Sequence, residues 1–122
     1  MKIHPDLISV QSIRGYGPGW VQVGNDKIYH SVIITPAGDR IHWSCPDFDQ
    51  LTAAHFEQLT RFPAELVIFG SGTRLRFPAP ALSLALMQRQ IGLESMDTHA
   101  ACRTYNILAA EGRQVVAALL MQ

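Results

Sequence analysis

A chain of 122 residues has the size of one domain, and at that size roughly two-thirds of the unfolded surface is buried on folding. Hydrophobic residues make up 48% of it, which excludes a disordered chain. Ten basic residues balance ten acidic ones with no block of like charge, so nucleic acid is not an expected partner; Arg74 with Arg76 comes nearest to a basic patch.

Residues 7–13 read as a first strand, followed by Gly15-Tyr16-Gly17-Pro18-Gly19, a run whose glycines and proline argue for an irregular loop. Residues 20–23 and 27–35 flank Gly24-Asn25-Asp26, a tight hairpin turn that tolerates positive φ. Pro36-Ala37-Gly38-Asp39 then joins 27–35 to a strand at 40–44 in a second hairpin. Together these form an N-terminal antiparallel β unit with one half-exposed face. Residues 51–61 give a short helix, with Thr52 as its N-cap and Pro63 as its stop. Residues 66–69 are four apolar residues in a row, the mark of a buried central strand. Pro78-Ala79-Pro80 opens a helix that runs to about Gln90.

Residues 91–120 then read as strand, helix and strand. Asp97 or Thr98 caps the helix, and Ala100, Ala101, Tyr105 and Leu108 supply a narrow apolar stripe. Arg103 and Asn106 lie one turn apart on another side. Gly112 ends the helix in a left-handed conformation, and 114–120 is an apolar run of strand length. On that reading Gly112→Val destabilises the fold more than Ser71→Ala, since a β-branched residue resists positive φ. Helices alternating with strands from residue 51 onward imply a three-layer α/β domain spanning 1–122, its central mixed and mainly parallel sheet packed by helices.

Two places carry residues suited to a binding site. Gly70-Ser71-Gly72-Thr73 follows a buried strand, where open α/β sheets receive ligands and glycine N–H groups face anions. The run lacks the third glycine of a dinucleotide fingerprint, the Gly-Lys of a P-loop and the pattern of a hydrolase elbow, and a tight turn alone accounts for it. Asp97 and Thr98 occupy a second strand-to-helix junction, where capping alone accounts for both residue types. If the two junctions share a cleft, Arg103 and Asn106 are within reach of it, although Arg103 equally suits a surface ion pair. His99 and Cys102, three apart, have the spacing of a thiolate pair, but burial of the cysteine in the core fits as well and no orienting third group is evident. The five histidines and two cysteines are scattered, so no metal site, cofactor or catalytic residue is assigned. Tyr16, Trp20, Tyr29 and Trp43, all from the β unit, suit either a partner contact or the core, and Tyr16, Trp20 and Trp43 are the partner-binding candidates.

Glu94, Met96-Asp97-Thr98, Ala100-Ala101, Thr104-Tyr105-Asn106, Glu111-Gly112-Arg113, the apolar 115–120 run and Leu66-Val67-Ile68-Phe69-Gly70-Ser71-Gly72 together carry a resemblance. From about Ile8 to Leu120 the chain resembles a family of small α/β proteins of uncharacterised function that includes a mitochondrial complex I assembly factor and a vertebrate adipogenesis-associated protein. The resemblance implies a central mixed sheet with helices on it, and a non-enzymatic assembly role through a protein partner. The residues leave a second reading open: a small-molecule or anion site, possibly enzymatic, at the C-terminal ends of the central strands. The longest apolar run, 115–121, falls far short of the roughly 20 residues of a membrane helix, and neither a secretory leader nor a mitochondrial presequence is seen. Two unpaired thiols suit a reducing compartment, so a soluble cytoplasmic bacterial protein of undetermined oligomeric state is expected.

Overall fold

The computed structural model describes residues 10–122, and the part of the first expected strand at 7–9 lies outside it. Eight strands and three α-helices follow in order: β1 (Ile13–Gly17), β2 (Trp20–Val23), β3 (Asp26–Ile28), β4 (Val32–Ile34), β5 (Arg40–His42), α1 (Ala53–Leu59), β6 (Leu66–Gly70), α2 (Leu84–Gln88), β7 (Gly92–Met96), α3 (Thr98–Ala110) and β8 (Val115–Leu119). β1, β2 and β3 form a small antiparallel sheet, and the other five form a second sheet in the order β5-β4-β8-β6-β7. β8 pairs parallel with β6 and β6 parallel with β7, whereas β4 pairs antiparallel with both β5 and β8. The sheet is therefore mixed, with its parallel half formed by the helix-linked strands.

The central strands read as near-continuous apolar runs because both of their faces are covered. Val115, Ala117 and Leu119 of β8, Ile68 of β6, and Val32 and Ile34 of β4 pack with Ala101, Cys102, Tyr105 and Ala109 of α3. The alternate residues Val116, Ala118, Val67, Phe69 and Ile33 face the other way, onto Trp43, Phe56, Leu59 and Leu86. α1 and α2 cover that second face, so the three layers are α1 with α2, the five-stranded sheet, and α3 with the small sheet. Aromatic rings lock the second face: Trp43 meets Phe56 and Phe69 edge-on, with centroids 6.2 and 6.1 Å apart. Each such pair contributes about 0.5–1.5 kcal/mol beyond the area it buries.

Three sequence expectations need correction. The first strand begins only at Ile13, residues 10–12 being irregular, and β1 instead runs through the glycine-rich segment, because a hairpin with β2 supplies its hydrogen bonds and the Trp20 ring lies against Gly17, where a Cβ would come within 2.6 Å of it. The expected strand at 27–35 is two strands in different sheets: Ile28 ends the small sheet and Val32 begins the large one. Ser31 anchors the crossing, its hydroxyl donating to the Cys45 carbonyl at 2.6 Å and its own carbonyl accepting from Trp43 N–H at 2.9 Å. Finally, the helix expected from Pro78 onward begins as a 3-10 turn at Pro80–Ser83 and is α-helical only over α2. Two other expectations are met. Thr52 caps α1, with His55 Nδ1 accepting from the Thr52 N–H at 2.9 Å, and Gly112 has a φ of +82°.

Candidate functional site

The two strand-to-helix junctions do meet. β6 ends at Gly70, and the chain turns through Ser71-Gly72-Thr73 directly beside Asp97 and Thr98, the start of α3. Asp97 accepts from Ala100 N–H at 3.0 Å through Oδ1, a capping bond that stabilises a helix by about 1 kcal/mol. Thr98 hands its N–H to the Gly72 carbonyl at 2.9 Å. Its hydroxyl accepts from Gly72 N–H at 2.9 Å and donates to the Leu120 carbonyl at 2.6 Å. One buried side chain thereby ties β6, α3 and the strand after Gly112 together. Gly72 has a φ of +103°, and a Cβ there would run into the Gln122 carbonyl.

Ser71 is fully buried and turned inward. Its hydroxyl donates to the Arg74 carbonyl at 2.7 Å and accepts from Arg76 N–H at 3.0 Å. Such a hydroxyl shapes a turn, and among the described residues no imidazole or amine stands ready to take its proton.

Of the candidates, Gly72, Thr73, Asp97 and Thr98 line one cleft of about 260 Å³, together with His99, Met121 and the Gly17–Trp20 turn. Gly70 and Ser71 lie beneath it, buried. Arg103 and Asn106 go elsewhere. Arg103 donates to the Tyr16 hydroxyl at 2.8 Å, so it pairs with an aromatic and not with a surface acid. Asn106 grips the β1 backbone, Oδ1 accepting from Ile13 N–H and Nδ2 donating to Ile13 O, both at 2.8 Å. An asparagine that is unfavourable inside a helix is explained by that clamp.

His99 is the lining residue that sequence reasoning placed in another role. Its Nε2 lies 2.9 Å from the Gly17 carbonyl, which can only accept, so Nε2 carries the proton. The ring stacks 4.5 Å from that of Tyr16. Cys102 faces the core, where burial pushes its thiol up to about 12, and Cys45 is raised to about 11, also chiefly by burial. Neither is a thiolate near neutral pH, so the His99–Cys102 pair has no nucleophile to offer. Asp97 is the acidic residue of the lining, and its carboxylate opposes an anion at the α3 N-terminus. Among the described residues no group of three His, Cys, Asp or Glu side chains gathers as a metal site.

The partner candidates separate as well. Trp43 has no exposed surface and is a core residue, correcting its assignment to a contact surface. Tyr16 and Trp20 are half-buried, and Lys27 Nζ sits 4.3 Å from the Trp20 ring centroid. The large apolar side chains that do face solvent include Phe77 at 71% exposed and Met87 at 62%, in the segment between β6 and β7. Prolines around Phe77 were the available signal for an extended, uncovered stretch.

Residues 13–120 match the family described as a protein of unknown function (DUF498/DUF598), and the chain belongs to that family. Over 116 residues it is 29% identical to an uncharacterised protein of Rhodobacter capsulatus, covering 95% of this chain and 89% of that one. It is 31% identical over 110 residues to the Bos taurus protein named NADH dehydrogenase (ubiquinone) 1 alpha subcomplex assembly factor 3. That match covers 88% of this chain and spans 59% of the length of the bovine relative. The crystal structure of a Bordetella parapertussis protein superposes with a TM-score of 0.87 at 34% identity, covering 92% of this chain and 96% of that one. The fold, with its mixed sheet, three helices and separate small antiparallel sheet, is that of the family. No helix among the described residues is long and apolar enough to cross a membrane.

Proposed function

We propose that this family member is a non-enzymatic binding or assembly protein that acts through a protein partner. One observation carries the reading: the Ser71, Asp97 and Thr98 side chains at the junction of β6 and α3 are used to hold the fold. The Ser71 and Thr98 hydroxyls bond to backbone, Asn106 clamps β1, Asp97 caps α3, and the thiols are buried and protonated. Acid–base or nucleophilic chemistry needs a group left over to do it. The likeness to a protein named as an assembly factor supports the same reading by analogy, and a shared fold alone does not carry function.

Site-specific photo-crosslinking in the cell of origin tests this, with the probe placed in turn at the exposed positions Tyr29, Phe77, Met87 and Ile107. A discrete protein adduct from at least one position is the expected result. Absence of a protein adduct from all four overturns the reading.

A second reading, a small uncharged or cationic ligand in the cleft, is supported by the convergence of Gly72, Thr73, Asp97, Thr98 and His99 on one concave surface. A thermal-shift screen separates it from the first, because a ligand selective for the native state raises the melting temperature. A hit whose shift disappears in His99→Ala supports the cleft; a screen without hits removes it.

A further inference from the structure

Where the chain passes from the small sheet to the large one, two histidines meet on the surface. His42 closes β5, and its register partner on β4 is Val32. His30 lies two residues before Val32, at the diagonal place of an antiparallel pair, which aromatic side chains can span. The two imidazole rings come together there, with centroids 4.3 Å apart and planes inclined at 47°. Both residues are exposed, and with Tyr29, Ser44 and Cys45 they line a cleft of about 380 Å³.

The backbone beneath the pair is fixed. The Ser31 carbonyl accepts from the Trp43 N–H at 2.9 Å, the Ser31 hydroxyl donates to the Cys45 carbonyl at 2.6 Å, and Trp43, next to His42, has no exposed surface. His30 Nδ1 stands 2.9 Å from the Ser31 carbonyl. A carbonyl only accepts, so in the neutral ring Nδ1 carries the proton and Nε2 keeps its lone pair. Metal-binding histidines are held in this way, one ring N–H given to a backbone carbonyl so that tautomer and ring orientation are set for the other nitrogen. His55, by contrast, uses both ring nitrogens, on the Thr52 N–H and the Ser44 carbonyl. The His42 ring makes no hydrogen bond among the described residues and is free to turn a nitrogen toward His30 Nε2. Two nitrogens bound to one ion at about 2.0–2.1 Å stand roughly 3–3.5 Å apart, a separation that rings at this spacing can reach.

Cys45 does not supply a third donor. Its thiol donates to the Asp47 carbonyl at 3.2 Å and is pushed up to about 11, chiefly by burial, so it stays protonated near neutral pH. Two protein donors leave the remaining coordination positions to water, which describes an exchangeable site and not a closed structural one.

We propose that His30 and His42 form a two-imidazole binding site for a late first-row divalent cation of the class of Ni²⁺, Cu²⁺ and Zn²⁺. Imidazole suits these cations, whereas Mg²⁺ and Ca²⁺ take oxygen donors. The site is independent of the protein-partner reading and is tested without a partner.

The test titrates the purified chain with Zn²⁺, Ni²⁺ or Mg²⁺ alone and follows the histidine ring signals by NMR. Zn²⁺ is expected to shift the His30 and His42 signals along one shared saturation curve, Ni²⁺ to perturb the same pair, and Mg²⁺ to leave both unmoved. In His42→Ala the Zn²⁺ affinity read at His30 is expected to fall about tenfold or more, since loss of a ligand's orienting partner alone costs that much. Should that variant fail to fold, His30→Gln, read at His42, carries the same comparison. Zn²⁺ is also expected to raise the melting temperature of the parent by more than that of the variant. Separate saturation of the two rings, an unchanged Zn²⁺ affinity in the variant that folds, or a response to Mg²⁺ equal to that to Zn²⁺ overturns the proposal. A variant that melts earlier but gains as much from Zn²⁺ as the parent shows that the rings only pack together, and overturns it too.

Discussion

Asn106→Ala gives the sharpest test of how the domain is held together. Its amide supplies both a donor and an acceptor to Ile13, at 2.8 Å each, across 93 residues of sequence. Alanine leaves the Ile13 N–H and C=O without those partners, and an orphaned buried backbone group costs about 1–3 kcal/mol. Asn106 is half-buried, so water recovers part of that. The expected loss is about 2–3 kcal/mol, a large share of the 5–15 kcal/mol typical of a domain. For a chain of this length that lowers the melting temperature by roughly 10 °C. Asn106→Asp is expected to fall about as far, because a carboxylate oxygen then faces the Ile13 carbonyl in place of the donating Nδ2. Urea unfolding followed by circular dichroism measures both, and Ile13 amide exchange reports on the clamp itself. An alanine variant within 0.5 kcal/mol of the parent would refute the reasoning and show that β1 is held by packing alone.

Three further outcomes follow from the same geometry. Gly72→Ala is expected to destabilise by about 2 kcal/mol or more, since it meets both a left-handed φ and the Gln122 carbonyl; a melting temperature equal to the parent's would show that the turn relaxes freely. Ser71→Ala is expected to cost about 2–3 kcal/mol and Gly112→Val about 1–2, the reverse of the sequence-based order, because the Ser71 hydroxyl bonds in a fully buried turn while the space around Gly112 is open. Urea midpoints in the opposite order would place the weight back on the helix terminus. Both cysteine thiols are raised above their ordinary 9.0, to about 11 and about 12, so the folded state holds those protons more tightly than the unfolded one. Their contribution to stability is present below pH 9 and is lost as the pH rises toward 11–12, so urea midpoints should fall over that range and fall less in Cys102→Ala. Thiol reagents at pH 8 should modify neither cysteine before unfolding; rapid labelling of the native protein would contradict the burial.

The parallel half of the fold was legible because its signals are local. Four apolar residues at 66–69, a cap at Asp97 and a glycine at 112 each name one structural element, and the structure places all three as read. The β unit was less legible because its form depends on contacts distant in sequence. The glycine-rich run becomes β1 only because Trp20 lies over Gly17 and Asn106 reaches Ile13 from α3. Nothing in the apolar content of 27–35 marks Ser31 as the point where the chain leaves one sheet for the other. At the candidate site, residue type alone did not separate a hydroxyl that binds a ligand from one that binds backbone. Ser71 and Thr98 look alike in both roles, and only the positions of Arg74, Arg76 and Leu120 decide between them. The helical stripe shows the same limit, since Ala101 and Tyr105 are buried as expected while Cys102 and Ala109 complete the face and Ala100 and Leu108 sit at its margin. Phe77 and Met87 escaped notice because exposure of an apolar side chain is a property of the assembled surface.

Residue-resolved amide exchange, with and without the crosslinked partner bound, most directly decides whether this protein works through a partner surface or through the cleft beside α3. Slowed exchange at residues outside the cleft, with Gly72 and His99 unchanged, is the expected result. Protection confined to Gly72, Thr73 and His99 would contradict the account and return the function to the cleft.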